Sequence, residues 1–101
     1  MGRLDNKAAL ITGGASGIGR ETALLIAKEG ANVVITDIDE SKGQQVLAEL
    51  RAINRKALFI KHDVSREKDW ASVVSQTTQT FKQIDILFNN AGIYIIKSIH
   101  G

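Results

Sequence analysis

Between a short apolar run and a helical pattern, Thr12-Gly13-Gly14-Ala15-Ser16-Gly17-Ile18-Gly19 sets four glycines within eight residues. Glycine lacks Cβ, so backbone there can turn sharply and approach a charged group closely, while the first amides of the following helix and its dipole attract negative charge. This is the chemistry of gripping a phosphate, and a dinucleotide is the leading ligand. Asp37 lies 18 residues beyond Gly19, close to the roughly 20 at which an acidic residue accepts from the hydroxyls of an adenosine ribose. A carboxylate accepts from both hydroxyls but repels the additional phosphate of NADP. That repulsion is about 4 kcal/mol per charge pair at about 4 Å and an effective dielectric of about 20. Asp37 therefore prefers NAD, and Arg20, a cation beside the loop, pulls toward NADP.

Spacing separates three phosphate-loop patterns that compete for these residues. As a P-loop, Gly14 and Gly19 are correctly separated, but Arg20 stands where lysine is needed and Glu21 where a hydroxyl must hold magnesium. As G-x-G-x-x-G, the stretch Gly17-Ile18-Gly19-Arg20-Glu21-Thr22 lacks its last glycine. As Thr-Gly-x-x-x-Gly-x-Gly, every position from Thr12 to Gly19 fits.

The elements that must position these residues alternate along the chain. Ala8 to Ile11 is an apolar run suited to a strand buried on both faces. Ile18, Thr22, Leu25 and Ile26 recur at i, i+4, i+7 and i+8, which predicts a helix with those residues inward. Val33 to Thr36 is a β-branched strand ending at Asp37, and Val46, Leu47, Leu50 and Ile53 mark one face of a second helix that ends near Asn54. Ala57 to Ile60 is a third strand, closing at His62-Asp63-Val64. Ser65 is a candidate cap for a third helix carrying Trp70, Val73, Val74, Thr77 and Phe81 on one face. Ile84 to Phe88 is a fourth strand, running into Asn89-Asn90-Ala91-Gly92. Strands joined by helical crossovers imply a parallel sheet. The expected architecture is a single α/β domain of Rossmann type, a three-layer sandwich with strand order 3-2-1-4 and a switch point between strands one and four. Every candidate site residue then falls at the carboxyl end of a strand.

The loop from Thr12 to Gly19, Asp63-Val64 and Asn89-Asn90-Ala91-Gly92 together resemble the short-chain dehydrogenase/reductase family over nearly the whole chain. The resemblance implies cofactor contacts from Gly13, Ser16, Gly17, Ile18, Gly19, Asp37, Ile38, Asp63, Val64, Asn90, Ala91 and Gly92. Asp63 would accept from the adenine amino group, Val64 would pack near the ring, and Asn90, Ala91 and Gly92 would lie along the cofactor. It also implies hydride transfer between a nicotinamide and an alcohol or carbonyl substrate. The family's catalytic serine and Tyr-x-x-x-Lys stand well downstream of the Asn-Asn-Ala-Gly motif, in chains more than twice as long. Tyr94 and Lys97 are spaced i, i+3 instead of i, i+4, and Tyr94-Ile95-Ile96 reads as a loop that would pack on the missing portion. The expectation is a cofactor-binding half, truncated after the fourth strand and inactive alone. The alternative is a complete, non-catalytic nucleotide-binding or interaction module, with a methyltransferase on a similar sheet as a third reading. An uncovered fourth strand would invite self-association through its edge.

Composition narrows the classes. The chain has 101 residues, a formal net charge of +2 and no cysteine, which excludes disulfides and thiolate metal sites. No apolar run approaches the roughly 20 residues that span a bilayer, and the first residues lack a signal-peptide core, so a cytoplasmic location is expected. Basic residues are interspersed with acidic ones, against a nucleic-acid partner. Arg51, Arg55 and Lys56 form the densest cationic group and read as a solvated helix end. His62 and His100 are isolated, and no metal is expected.

Overall fold

The computed structural model describes residues 4–15, 17–62, 67–89 and 92–100. Its elements run β1 (Ala8–Thr12), α1 (Gly17–Lys28), β2 (Asn32–Asp37), α2 (Glu40–Ile53), β3 (Leu58–Lys61), α3 (Glu67–Phe81), β4 (Gln83–Asn89) and β5 (Gly92–His100). The sheet order is β3-β2-β1-β4-β5. The first four strands are parallel, with Leu10 opposite Val34 on one side and Leu87 on the other. The expected 3-2-1-4 order is therefore present, including the reversal between β1 and β4.

Alternation along the central strands divides the core in two. Ile11, Val33 and Ile35 pack with Ala23, Ala27, Val46, Leu47 and Leu50 on the face covered by α1 and α2. Leu10 and Val34 point the other way and pack with Val73, Ile84 and the flank of Trp70 under α3. Burying each large aliphatic side chain contributes about 1.5–3 kcal/mol, so neighbouring residues of one strand clamp opposite layers.

Two expectations change. On α1 the buried residues are Gly19, Ala23 and Ala27, whereas Ile18 is 74% exposed and Leu25 62%. The helix lies so close to β1 and its loop that only small side chains fit beneath it; a Cβ on Gly19 would strike the carbonyl of Gly13. Periodicity found the helix and placed Ile26 against the core, but it also turned Ile18 and Leu25 inward, because glycine and alanine carry little hydrophobic signal.

The second change concerns the stretch after β4. Gly92–His100, expected as a loop around Tyr94-Ile95-Ile96, is a strand antiparallel to β4, with Asn89 opposite Gly92 and Leu87 opposite Tyr94. Five of its nine residues are Ile or Tyr, types that favour extended backbone. Two residues link it to β4, a connection short enough only for antiparallel neighbours. The exposed β4 edge anticipated from four strands is thus occupied.

Candidate dinucleotide site

The carboxyl ends of β1 and β2 meet through hydrogen bonds that no local pattern specifies. Gly14 N–H donates to the Thr36 carbonyl at 3.0 Å, and Ala15 N–H donates to Asp37 Oδ2 at 3.1 Å. The glycine loop is thereby strapped to the end of β2. The other carboxylate oxygen of Asp37 accepts from Asp39 N–H at 2.9 Å, and Asp39 in turn caps α2 by accepting from Lys42 N–H. One carboxylate organises both the loop and the entry to the next helix. A carboxylate offers about four acceptor positions, so two remain for ligand hydroxyls at a side chain that is half-buried.

At the start of α1, Gly17 has φ +58°, and among the described residues, apart from its chain neighbours and its own helix backbone, no atom lies within 4 Å of where its Cβ would be. The left-handed backbone favours glycine, and the open space above it is what an approaching phosphate needs. The first turn of α1 carries no acidic residue, so nothing there opposes an anion at the positive end of the helix. Gly19 differs: it is buried against Gly13 and serves helix packing. Ile18 and Ile38, the latter 61% exposed, are apolar side chains left in solvent beside the loop and the β2 terminus.

Arg20 is committed elsewhere. Its Nε and Nη2 engage both oxygens of Glu49 on α2 at 3.0 and 2.5 Å, and its Nη1 lies 3.2 Å from Glu21. The hydrogen bond and charge of Glu49 raise the Arg20 pKa above its ordinary value, and Arg20 holds the Glu49 carboxyl below its own. The cation that pulled toward NADP in the sequence is thus turned onto a neighbouring helix.

Two residues that motif reading passed over support this end of the sheet and its opposite. His62 is buried, its Nδ1 3.1 Å from Thr36 Oγ1 and its ring centroid 5.8 Å from that of Trp70, while its N–H donates to the Asp37 carbonyl. It latches the end of β3 to that of β2, immediately before Asp63. Asp85, a buried carboxylate in an otherwise apolar strand, accepts from Ala8 N–H at 2.9 Å and from Gln83 Nε2 at 2.6 Å, fixing the start of β1. The signal for both was polarity where only apolar residues were expected. Ser16, Asp63, Val64, Asn90 and Ala91 lie outside the described residues, and Gly92 begins β5. Among the described residues no group of three possible metal ligands gathers, and no helix is long and apolar enough to cross a membrane.

Known proteins share both sequence and architecture with this chain. The pattern of the short chain dehydrogenase family matches residues 7–101. A 3-beta-hydroxysteroid dehydrogenase of Comamonas testosteroni is 45% identical over 92% of this chain and 35% of its own length. A cyclopentanol dehydrogenase of a Comamonas species is 40% identical over 98% of this chain and 40% of its own. The crystal structure of a short chain dehydrogenase/reductase from Burkholderia phymatum in complex with NAD superposes with a TM-score of 0.81 at 30% identity, covering 86% of this chain and 31% of that one. The chain thus spans little more than a third of the relatives it matches. Glycine loop, strand order and these likenesses agree: the chain belongs to the short-chain dehydrogenase family, oxidoreductases built on a Rossmann fold that bind NAD(P).

Proposed function

We propose that this chain holds the adenosine and pyrophosphate half of NAD for an oxidoreductase acting on an alcohol or carbonyl substrate. The observation that carries this reading is the strap between Ala15 N–H and Asp37 Oδ2, which sets an acceptor carboxylate beside a glycine loop. The open space over Gly17 and the helix start free of acidic residues fit a pyrophosphate. The two remaining acceptor positions of Asp37 fit the hydroxyls of a ribose.

When bound, NAD supplies the hydride acceptor, or in reduced form the donor, for an alcohol and carbonyl pair. The residues of this chain bind and orient. Gly13, Ser16 and Gly17 form the pyrophosphate cradle, Gly19 lets the helix start pack close behind it, Asp37 fixes the adenosine ribose, and Ile18 and Ile38 cover apolar ring surface. Asp63 and Val64 hold the adenine, and Asn90, Ala91 and Gly92 run along the cofactor. Proton transfer belongs to a Tyr-x-x-x-Lys and its partner serine in the family, and since the one tyrosine here, Tyr94, has Ser98 at i+4, the chain alone is expected to turn over nothing. Titration calorimetry tests the assignment: Asp37→Ala weakens NAD at least about tenfold while NADP changes less. An unchanged NAD to NADP ratio would remove Asp37 from ribose recognition.

One observation favours a second reading, a stand-alone non-catalytic nucleotide-binding module. β5 pairs the edge of β4 and becomes the terminal strand itself, so β4 no longer carries the unpaired backbone that would count against a self-sufficient domain, and that edge passes to β5. Joining the chain to the carboxyl-terminal part of a family member separates the two. Dehydrogenase activity on joining supports the enzyme half, whereas a monomeric chain that binds NAD and stays inactive when joined supports the module.

A further inference from the structure

At the amino-terminal end of the sheet, away from the glycine loop, a cleft of about 500 Å3 opens where the end of α2, the starts of β2 and β3 and the end of α3 come together. Arg51, Arg55 and Lys56 stand around it, Leu58 and Phe81 form an apolar wall, and Asn32 contributes an amide. No described residue lining the cleft is acidic. Among the described residues none of the three cations has a carboxylate partner; the ion pairs join Arg20 to Glu21 and Glu49.

A solvated helix end accounts for only part of this arrangement. Arg51 lies in the last turn of α2, where a cation offsets the dipole, but Arg55 and Lys56 follow the helix, which ends at Ile53. The turn that carries them is built: Asn54 Oδ1 accepts from Lys56 N–H, and its Nδ2 donates to the Ala31 carbonyl and to Asn32 Oδ1. Arg51 Nε donates to the Ala57 carbonyl at 3.2 Å, which fixes the guanidinium stem and leaves its terminal nitrogens as donors. Three like charges therefore share one concavity with oriented donors and an apolar wall. Their mutual repulsion falls when an anion enters, and guanidinium geometry matches phosphate oxygens in pairs.

We propose that this cleft binds a phosphate monoester carrying a small apolar group, at a site separate from the dinucleotide cradle. The phosphate engages Arg51, Arg55 and Lys56, and the apolar group lies on Leu58 and Phe81.

Phenyl phosphate is the probe, titrated into the 15N-labelled chain and followed amide by amide, so the readout does not depend on whether NAD binds. Saturable shifts at Asn32, Arg51, Ala57, Leu58 and Phe81, weakening with added salt, are the expected result. The triple variant Arg51→Gln, Arg55→Gln, Lys56→Gln should weaken phenyl phosphate at least about tenfold and leave glycine-loop shifts unchanged. If the triple variant loses its far-UV dichroism, Lys56→Glu alone replaces it, with at least about threefold weakening expected. Shifts confined to residues 13–19, or a variant affinity within about twofold of the parent, overturn the site. Inorganic phosphate binding as tightly as phenyl phosphate overturns the role of the apolar wall.

Discussion

Glycines 17 and 19 stand two positions apart in one motif, yet their physical duties differ. Gly17 has free space over it and a positive φ, whereas a Cβ on Gly19 collides with the backbone of Gly13. Gly17→Ala should therefore fold, with a backbone penalty of about 1–2 kcal/mol, and lose NAD affinity by more than its loss of stability accounts for. Gly19→Ala should lose both together, because the loop must shift to admit the methyl. Paired thermal melts and NAD titrations check this, and equal behaviour of the two variants would contradict the division of labour. Asp37 is similarly double. The motif spacing marked it as a ribose acceptor, but its bonds to Ala15 and Asp39 also make it a brace, so Asp37→Ala should cost about 1–3 kcal/mol of stability without any ligand present.

Helices α1 and α2 are tied on the surface by Arg20 and Glu49, an exposed pair whose effect is modest and salt-sensitive. Its pH dependence has a definite sign. Glu49 titrates below its ordinary value of 4.5 in the folded chain, so its contribution is present above that value and is lost as pH falls through the lower folded one. Urea midpoints measured downward from pH 6 should fall more for the parent than for Glu49→Gln, with the difference confined to the acid side. Beneath α2, Gly43 faces Phe59, and a Cβ there meets the ring. Gly43→Val should destabilise by about 1–3 kcal/mol through overpacking, read from the same melts. Such close approach of helix to sheet also explains the rotated face of α1, where Ala23 and Ala27 are buried and Ile26 packs beside them while Leu25 is exposed.

Across the whole molecule, the sheet is parallel for four strands and ends with one antiparallel neighbour, so β4 has a paired strand on each side. Shortening the chain after Asn89 should expose that edge and produce self-association, visible in sedimentation as species larger than the monomer. A truncated chain that stays monomeric would show that β5 does not guard the edge. The order of elements, the parallel sheet and the placement of the glycine loop and Asp37 at strand ends were all legible in the sequence, because each rests on local periodicity or on a fixed spacing that the chain must keep. What lay beyond reach depended on distance in sequence: Ala15 meeting Asp37, Arg20 turning to Glu49, His62 latching onto Thr36, and Asp85 accepting from Ala8. The strand at Gly92–His100 belongs with these, since its residues favour extension but only β4 beside it supplies hydrogen-bond partners. By itself the sequence determined the family, and it carried the expectation of a phosphate cradle and of an NAD preference at Asp37, since glycine and a carboxylate at set spacings act through their own chemistry. The tertiary structure alone decided which face of α1 is buried, where the charge of Arg20 goes and which edge is covered, because close packing and pairing join residues that the chain keeps far apart.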